Sequence, residues 1–331
     1  MTGASKIEWT EQTWNPIVGC SIVSPGCTNC YAMNMAGRIE AMGNQPRYDG
    51  TTRKVNGHSV WTGKLALAPE ATLLAPLRRH KPTTYFVNSM GDLFHEDCPD
   101  AWIDRVFAVM ALCPRHTFQV LTKRAQRMRD YFEFTSPVRR YDYVEQQAYR
   151  LLRDIHGDPG VGMATRAFEA LRFWPIPNVW LGVSTERQRE ADARIPLLLR
   201  TPAAIRFISA EPLLGPIDLT NIRPRDRYEL NALTGFDFDQ GGLRERIDWV
   251  IAGGESGPGA RPMHPEWPRR LRDQCAAAGT AFFFKQWGEW LPGDGDCPGQ
   301  QFYKVGKRKA GRLLDGVEHN GMPTPRRAEA I

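Results

Sequence analysis

Val179-Trp180-Leu181-Gly182-Val183 followed by Ser184-Thr185-Glu186 is a short apolar run that stops abruptly in polar and charged residues. It reads as a strand running into a loop. The same grammar recurs along the chain. Thr84-Tyr85-Phe86-Val87-Asn88 ends in Ser89-Met90-Gly91-Asp92, and Thr117-Phe118-Gln119-Val120-Leu121 ends in Thr122-Lys123. Ile205-Arg206-Phe207-Ile208 ends in Ser209-Ala210-Glu211, and Trp249-Val250-Ile251-Ala252 ends in Gly253-Gly254-Glu255-Ser256. Ala281-Phe282-Phe283-Phe284 closes the series with Lys285-Gln286-Trp287. These strands, with one more leading into a cysteine loop, alternate with helical or loop connections. That alternation predicts an α/β fold with a parallel sheet and helices outside. The count favours a partial TIM-type parallel (β/α) barrel with an N-terminal cysteine loop over an open doubly wound sheet.

Between the strands, Trp102, Val106, Val109 and Cys113 recur at helical spacing behind Asp100, a good N-cap. Thr185 with Gln188 fits a capping box for the helix after the fourth strand. Trp267, Leu271, Cys275 and Ala278 mark one side of a helix that stops at Gly279. Residues 133–176 break the rhythm: Tyr141 to Ile155 is expected to be helical, and a second helix follows the Gly157-Asp158-Pro159-Gly160 break toward Phe173. This is an insertion on one face of a single domain over residues 1–290. The stretch between the cysteines and Lys64 is expected to be irregular or to hold a short helix, and residues 291–331 read as a basic surface tail.

With 331 residues the chain can bury a substantial core. It is 42% hydrophobic and 24% charged, with no apolar run that would span a bilayer, so no membrane role is expected. The N-terminus lacks the apolar core of a signal peptide, which predicts a cytoplasmic protein. Seven cysteines in a reducing compartment argue for metal or catalytic use of a cluster rather than for a disulfide framework.

Three of those cysteines, Cys20, Cys27 and Cys30, share one loop punctuated by Pro16, Gly19, Pro25 and Gly26. A structural zinc site wants four ligands, commonly in two pairs. Only one C-x2-C pair is present, with the third cysteine seven residues before it. His95 and Cys98 would complete a site only if the chain folded back. Three thiolates without a fourth ligand suit a [4Fe-4S] cluster whose remaining iron is open to a small molecule. The strand ends add Asp92, Lys123, Ser184, Glu186, Ser209, Glu211, Glu255, Ser256 and Lys285. In parallel α/β folds functional groups collect at such ends, and the repetition predicts a polar rim on one side of the sheet.

The run N-P-x-x-G-C…C-x-x-C-Y-A resembles radical S-adenosylmethionine enzymes, in particular the spore photoproduct lyase group. Across roughly residues 8 to 290 the chain also resembles an uncharacterised phage-associated and bacterial three-cysteine family, through WNPIVGC, SPGCTNCYA, SAEPLLGPI, IAGGESGPGARP and FFKQWGEW. The first resemblance implies that Cys20, Cys27 and Cys30 hold a [4Fe-4S] cluster whose fourth iron binds S-adenosyl-L-methionine. Reduction by an electron donor would then yield a carbon radical that takes hydrogen from the substrate. It also implies cofactor contacts for Lys123, Ser184 and Glu186, with Gly253-Gly254 letting backbone approach closely. Asp92 joins them as a cofactor-binding candidate. Glu186, Glu211 and Glu255 are the candidate catalytic groups, with Cys98 as a hydrogen-atom donor.

Net charge is +6, with basic clusters at Arg78-Arg79-His80-Lys81, Lys123-Arg124, Arg139-Arg140, Arg223/Arg225/Arg227 and residues 304–312. Trp287 and Trp290 precede the last of them. Cations for phosphates beside aromatics for bases suggest a nucleic-acid substrate, in repair or modification. Three rivals remain open. One is a zinc-stabilised nucleic-acid-binding protein without catalysis. Another is a divalent-metal barrel hydrolase using Asp92, Glu186, Glu211 and Glu255. The third is a redox protein whose cluster only carries electrons.

Overall fold

A computed structural model describes residues 5, 7–133, 140–157, 165, 169, 171, 174–224, 229–237, 242–243, 245–293 and 302–324. Seven strands form one sheet: β1 (Gln12–Trp14), β2 (Thr84–Val87), β3 (Thr117–Thr122), β4 (Val179–Ser184), β5 (Ile205–Ala210), β6 (Trp249–Gly253) and β7 (Ala281–Gln286). Their order in space is their order in the chain, and every neighbouring pair is parallel. Crossovers between parallel strands are right-handed, so a sheet that always grows in one direction keeps its helices on one face. A doubly wound sheet requires the order to reverse, and here it never does.

The sheet curls. The Trp9 ring lies 4.9 Å from Phe86 on β2 and 6.0 Å from Trp249 on β6. Along the sheet these strands are four spacings apart, roughly 19 Å at about 4.8 Å per strand. One indole reaches both only because the sheet wraps around it into a half-barrel. The concave side holds Trp9, Trp180, Phe207, Trp249, Ile251 and Phe283, with Phe86 and Leu121 packed against them. Gly182 on β4 faces Phe207 in register, and a Cβ there would stand 2.5 Å from the ring. The ring thus occupies the space a side chain would need.

The alternate residues, including Tyr85, Val87, Phe118, Val120, Leu181 and Val183, face the helices in the main core. Those helices include α2 (Asp100–Ala111), α3 (Ala125–Phe132), α4 (Arg140–His156), α5 (Gln188–Arg200) and α6 (Glu266–Ala278); α1 (Tyr31–Met42) lies elsewhere. Helix α4, in the expected insertion, buries Val144, Ala148 and Leu151 in that core. The second helix expected there falls largely outside the described residues.

Two caps differ from expectation. Helix α2 begins after Pro99 with Asp100 already in its first turn, where the carboxylate pairs with Arg127 and Arg140 instead of capping. Helix α5 is preceded by Arg187 and has no side-chain cap. Thr185 is buried with an unpartnered hydroxyl, while Gln188 binds Asp192 and the Asp218 backbone.

Within residues 17–67 the expected short helix is present as α1, and two strand pairings join it. Helix α1 packs on the hairpin Thr52–Val55/His58–Trp61, and Ile17–Val18 pairs with Ala66–Leu67. This module has its own small core of Val18, Met33, Ala36, Tyr48, Trp61 and Met90. At Gly37 a Cβ would lie 2.0 Å from Ser59 Oγ, so helix and hairpin meet at backbone distance.

The segment beyond residue 290 is also packed where it is described. Trp290–Pro292 pairs with Phe302–Lys304, Ala310 and Leu314 are buried, and the chain then lines the outer edge of β7. There Phe284 N donates to His319 O at 3.0 Å and Gly321 N to Phe282 O at 2.9 Å. Lys307, Arg308 and Lys309 are exposed. Lys307 reaches Glu8 at 3.3 Å, which ties the C-terminal segment to the N-terminal one. Among the described residues, no helix is long and apolar enough to cross a membrane.

Candidate functional site

The side-chain alternation that buries Leu121, Phe207 and Phe283 on the concave face places Lys123, Ser209 and Lys285 on that face one step further along. The carboxyl ends of the strands therefore carry a polar rim, as the strand-end residues suggest. The cysteine loop is latched onto it.

Glu186, just past β4, is fully buried. Its Oε1 accepts hydrogen bonds from Ser24 Oγ at 2.7 Å and from Lys123 Nζ, and its Oε2 accepts one from Arg194 Nη1 at 2.9 Å. Burial pushes this carboxyl up, but Lys123 and then Arg194 outweigh it and hold it down at about 2. Gly26 passes directly over Glu186: a Cβ there would lie 2.4 Å from Oε1. Glu255, past β6, receives Arg261 Nε at 2.8 Å and Asn29 Nδ2 at 3.1 Å on one oxygen. Burial raises its pKa, but Arg261 and Asn29 reverse the shift and leave it lowered. Arg261 Nη2 also donates to Pro25 O at 3.0 Å, and Asn29 Nδ2 to Gly259 O at 2.7 Å. Two strand-end carboxylates thus hold the cysteine loop at Ser24, Pro25 and Asn29.

Glu211, past β5, accepts from Lys285 Nζ at 2.6 Å and from Gln286 Nε2 at 3.4 Å. Gly253 lies against the pair: a Cβ there would stand 3.4 Å from Lys285 Cβ and 3.5 Å from Glu211 Cδ, at ordinary van der Waals contact. Gly254 is required by packing, because a Cβ there would sit 1.9 Å from Trp287 O. Ser184 is buried, and its carbonyl accepts from Arg194 Nη1 at 2.7 Å.

Asp92 is taken up by the protein itself. Thr122 Oγ1 at 2.6 Å and Phe94 N at 3.0 Å donate to Oδ1, while Lys123 N at 3.1 Å and Arg124 Nη1 at 3.0 Å donate to Oδ2. That leaves little capacity for a cofactor. Cys98 is buried in the main core, where desolvation pushes its thiol up to about 12.

Cys27 is buried, and Cys20 and Cys30 are half-buried against the core of the α1 module. Burial and then Asp92 push the Cys20 thiol up to about 12, against the pull of Arg124, whose Nη1 lies 3.6 Å from the sulfur. Cys30 stands at the start of α1. Its thiol is raised by burial, while the Met33 and Ala32 backbone and the Trp61 side chain act to lower it. Ser24 Oγ is 3.9 Å from Cys27 Sγ. Cys20 lies within electrostatic reach of Cys30, and Cys30 within that of Cys27. Among the described residues, no three His, Cys, Asp or Glu side chains converge as a metal-binding group. In donor chemistry the loop fits a thiolate-bound metal: each sulfur has a hydrogen-bonding group beside it that would support a thiolate. Metal binding to thiols releases their protons.

Sequence reading did not single out Ser24, Asn29, Arg194 or Arg261, and took Arg124 only as part of a basic cluster. Asn29 and Arg261 lie inside the phrases SPGCTNCYA and IAGGESGPGARP; Arg194, within α5, had no signal. No curated protein and no solved structure matches the chain. A family model matches it over residues 4–323, from before β1 to beyond the segment lining β7, and the chain belongs to that family, described as a protein of unknown function (DUF5131).

Proposed function

We propose that this protein is an iron-sulfur enzyme of the radical S-adenosylmethionine type that acts on nucleic acid. In this reading the half-barrel is a partial TIM-type scaffold, and Cys20, Cys27 and Cys30 are the ligands of a [4Fe-4S] cluster. The supporting observation is the latching of the three-cysteine loop to Glu186 and Glu255 at the carboxyl ends of parallel strands, the end where such folds carry their chemistry. A bound cluster with S-adenosyl-L-methionine would supply, on reduction by an external electron donor, a radical able to take hydrogen from the substrate.

The chain's own residues would bind and orient. Lys123 and Lys285 hold ammonium groups at the rim, each gripped by one carboxylate, with further N–H bonds to offer an anionic group. The nucleic-acid part of the proposal draws on the C-terminal hairpin. Tyr303 is 51% exposed, and Lys304, Arg308 and Lys309 are exposed beside it. Lys304 Nζ donates to Pro258 O at 2.6 Å, next to the Gly259 carbonyl that binds Asn29 of the cysteine loop. Cations and an exposed ring therefore flank the site.

The test is anaerobic purification and reconstitution, followed by iron and acid-labile sulfide analysis, EPR, and S-adenosyl-L-methionine cleavage under reduction. About four irons and four sulfides per chain, with cleavage, are expected for one such cluster. Stoichiometric zinc in a colourless protein would overturn the proposal in favour of a zinc-stabilised binding protein. Binding to single-stranded DNA or RNA should weaken steeply with salt; affinity unchanged between low and moderate salt would remove the nucleic-acid assignment.

A further inference from the structure

Arg124, two residues past β3, is a buried cation that the proposed chemistry leaves unused. Its side chain is 3% exposed and its donors are spoken for. Nε binds Glu96 Oε2 at 2.7 Å, and Nη1 binds Asp92 Oδ2 at 3.0 Å. Nη2 binds Ser21 Oγ at 2.6 Å and Ser21 O at 3.2 Å. The remaining contact is Nη1 to Cys20 Sγ at 3.6 Å. On one side the guanidinium is anchored to the segment after β2, through Asp92 and Glu96. On the other it holds Ser21 and Cys20, the first residues of the cysteine loop. His95 Nε2 also meets Ser21 Oγ, at 2.9 Å, which fixes the same hydroxyl from a second direction.

We propose that Arg124 is the positioning residue of the cysteine centre: it clamps Cys20 to the rim of the half-barrel and offsets the negative charge of its thiolate when a metal is held. This rests on the reading of the loop as a metal centre. The geometry explains why the position takes a planar, permanently charged fork. Lysine offers one compact ammonium, which cannot span two carboxylates, a hydroxyl, a carbonyl and a sulfur lying in different directions. Without the guanidinium, the Asp92 carboxylate would act on the Cys20 thiolate with no cation to offset it. Of the three sulfurs, Cys20 is the one expected to be lost first.

Cobalt(II) titration of metal-free protein under anaerobic conditions separates the possibilities. Thiolate-to-cobalt charge-transfer absorption grows with the number of bound sulfurs and needs no turnover. The wild type is expected to show three-thiolate intensity. Arg124→Gln should fall to two-thiolate intensity and bind cobalt on the order of 10–100-fold more weakly, as when a supporting partner of a metal ligand is removed. Arg124→Lys should lie between. Glu96→Gln, at a carboxylate whose side chain is 57% exposed, keeps the fold safe while loosening one anchor, and should give a smaller loss in the same direction. Arg124→Gln and Glu96→Gln both matching wild type in affinity and absorption, at unchanged melting temperature, would overturn the assignment of Arg124 alone. A wild-type protein that binds no cobalt through sulfur would overturn the metal centre and the clamp together.

Discussion

At Glu186 the balance of charge and burial can be followed to a measurable outcome. The carboxylate is fully buried yet stays ionised, because Lys123 and Arg194 lie on opposite oxygens and Ser24 adds a hydroxyl. Its folded pKa of about 2 is below the ordinary 4.5, so the folded state binds the proton less readily than the unfolded chain. The stabilisation is complete above pH 4.5 and drains as pH falls toward 2. Glu186→Gln removes that carboxylate and leaves two cations facing a neutral amide in a buried place. Breaking such a pair costs about 3–5 kcal/mol, readable as a drop in urea midpoint at pH 7. The difference from wild type should shrink steadily below pH 4.5. A pH-independent difference would mean that shape, not charge, sets the cost. The sequence made Glu186 legible as a charge ending an apolar run. It could not show Ser24, which arrives from 162 residues away, because that pairing exists only once the loop has folded over the rim.

Among the elements, the seven strands were the legible part, while of the module around α1 only a short helix was. A strand of four to six apolar residues is a strong local signal, whereas Ile17–Val18 and Ala66–Leu67 are two-residue pairings with no periodicity to detect. The caps failed for a related reason. Thr185 and Gln188 have the right spacing, but the Thr185 hydroxyl is buried without a partner and Gln188 is taken by the Asp218 backbone. The cysteine loop depends on its glycine in the same non-local way. Gly26→Ala would drive a Cβ to 2.4 Å from Glu186 Oε1 and 2.6 Å from its Cγ, and those atoms are held by Lys123 and Arg194. The loop must lift, because the carboxylate is the better anchored partner. If the loop holds the proposed metal centre, metal bound per chain should fall several-fold while the thermal transition moves by only a few degrees. Gly182→Ala should do the reverse. Its Cβ would meet the Phe207 ring at 2.5 Å in the interior, costing about 1–3 kcal/mol with metal binding kept. Metal analysis and thermal melting on the same two variants distinguish a loop defect from a core defect.

For the whole molecule, the unresolved physical question of a half-barrel is what covers the edges that a closed barrel would not have. On the β7 side the C-terminal segment answers it with backbone: His319 O and Gly321 N bond the edge of β7, and Gly321 O accepts from Trp249 Nε1 at 2.8 Å. Arg312 lies over the Phe283 ring, 5.0 Å from its centre. The composition of this stretch is polar and basic, which is why it reads as a surface tail. The groups that dock it are carbonyls and amides, and every sequence has those. Ending the chain at Lys309 would strip away these bonds together with Leu314, which is fully buried. Each buried donor or acceptor left unpaired costs about 1–3 kcal/mol, and an open parallel edge invites pairing with another copy. The shortened protein is expected to lose several kcal/mol in urea unfolding and to elute as oligomers or aggregate in size exclusion. Trp249→Phe in the full chain tests one of the same links without opening the edge: a loss of about 1–3 kcal/mol is expected, with elution unchanged. If the shortened chain remained monomeric and as stable as the whole, the segment would be a tail after all, and β7 would need another cover.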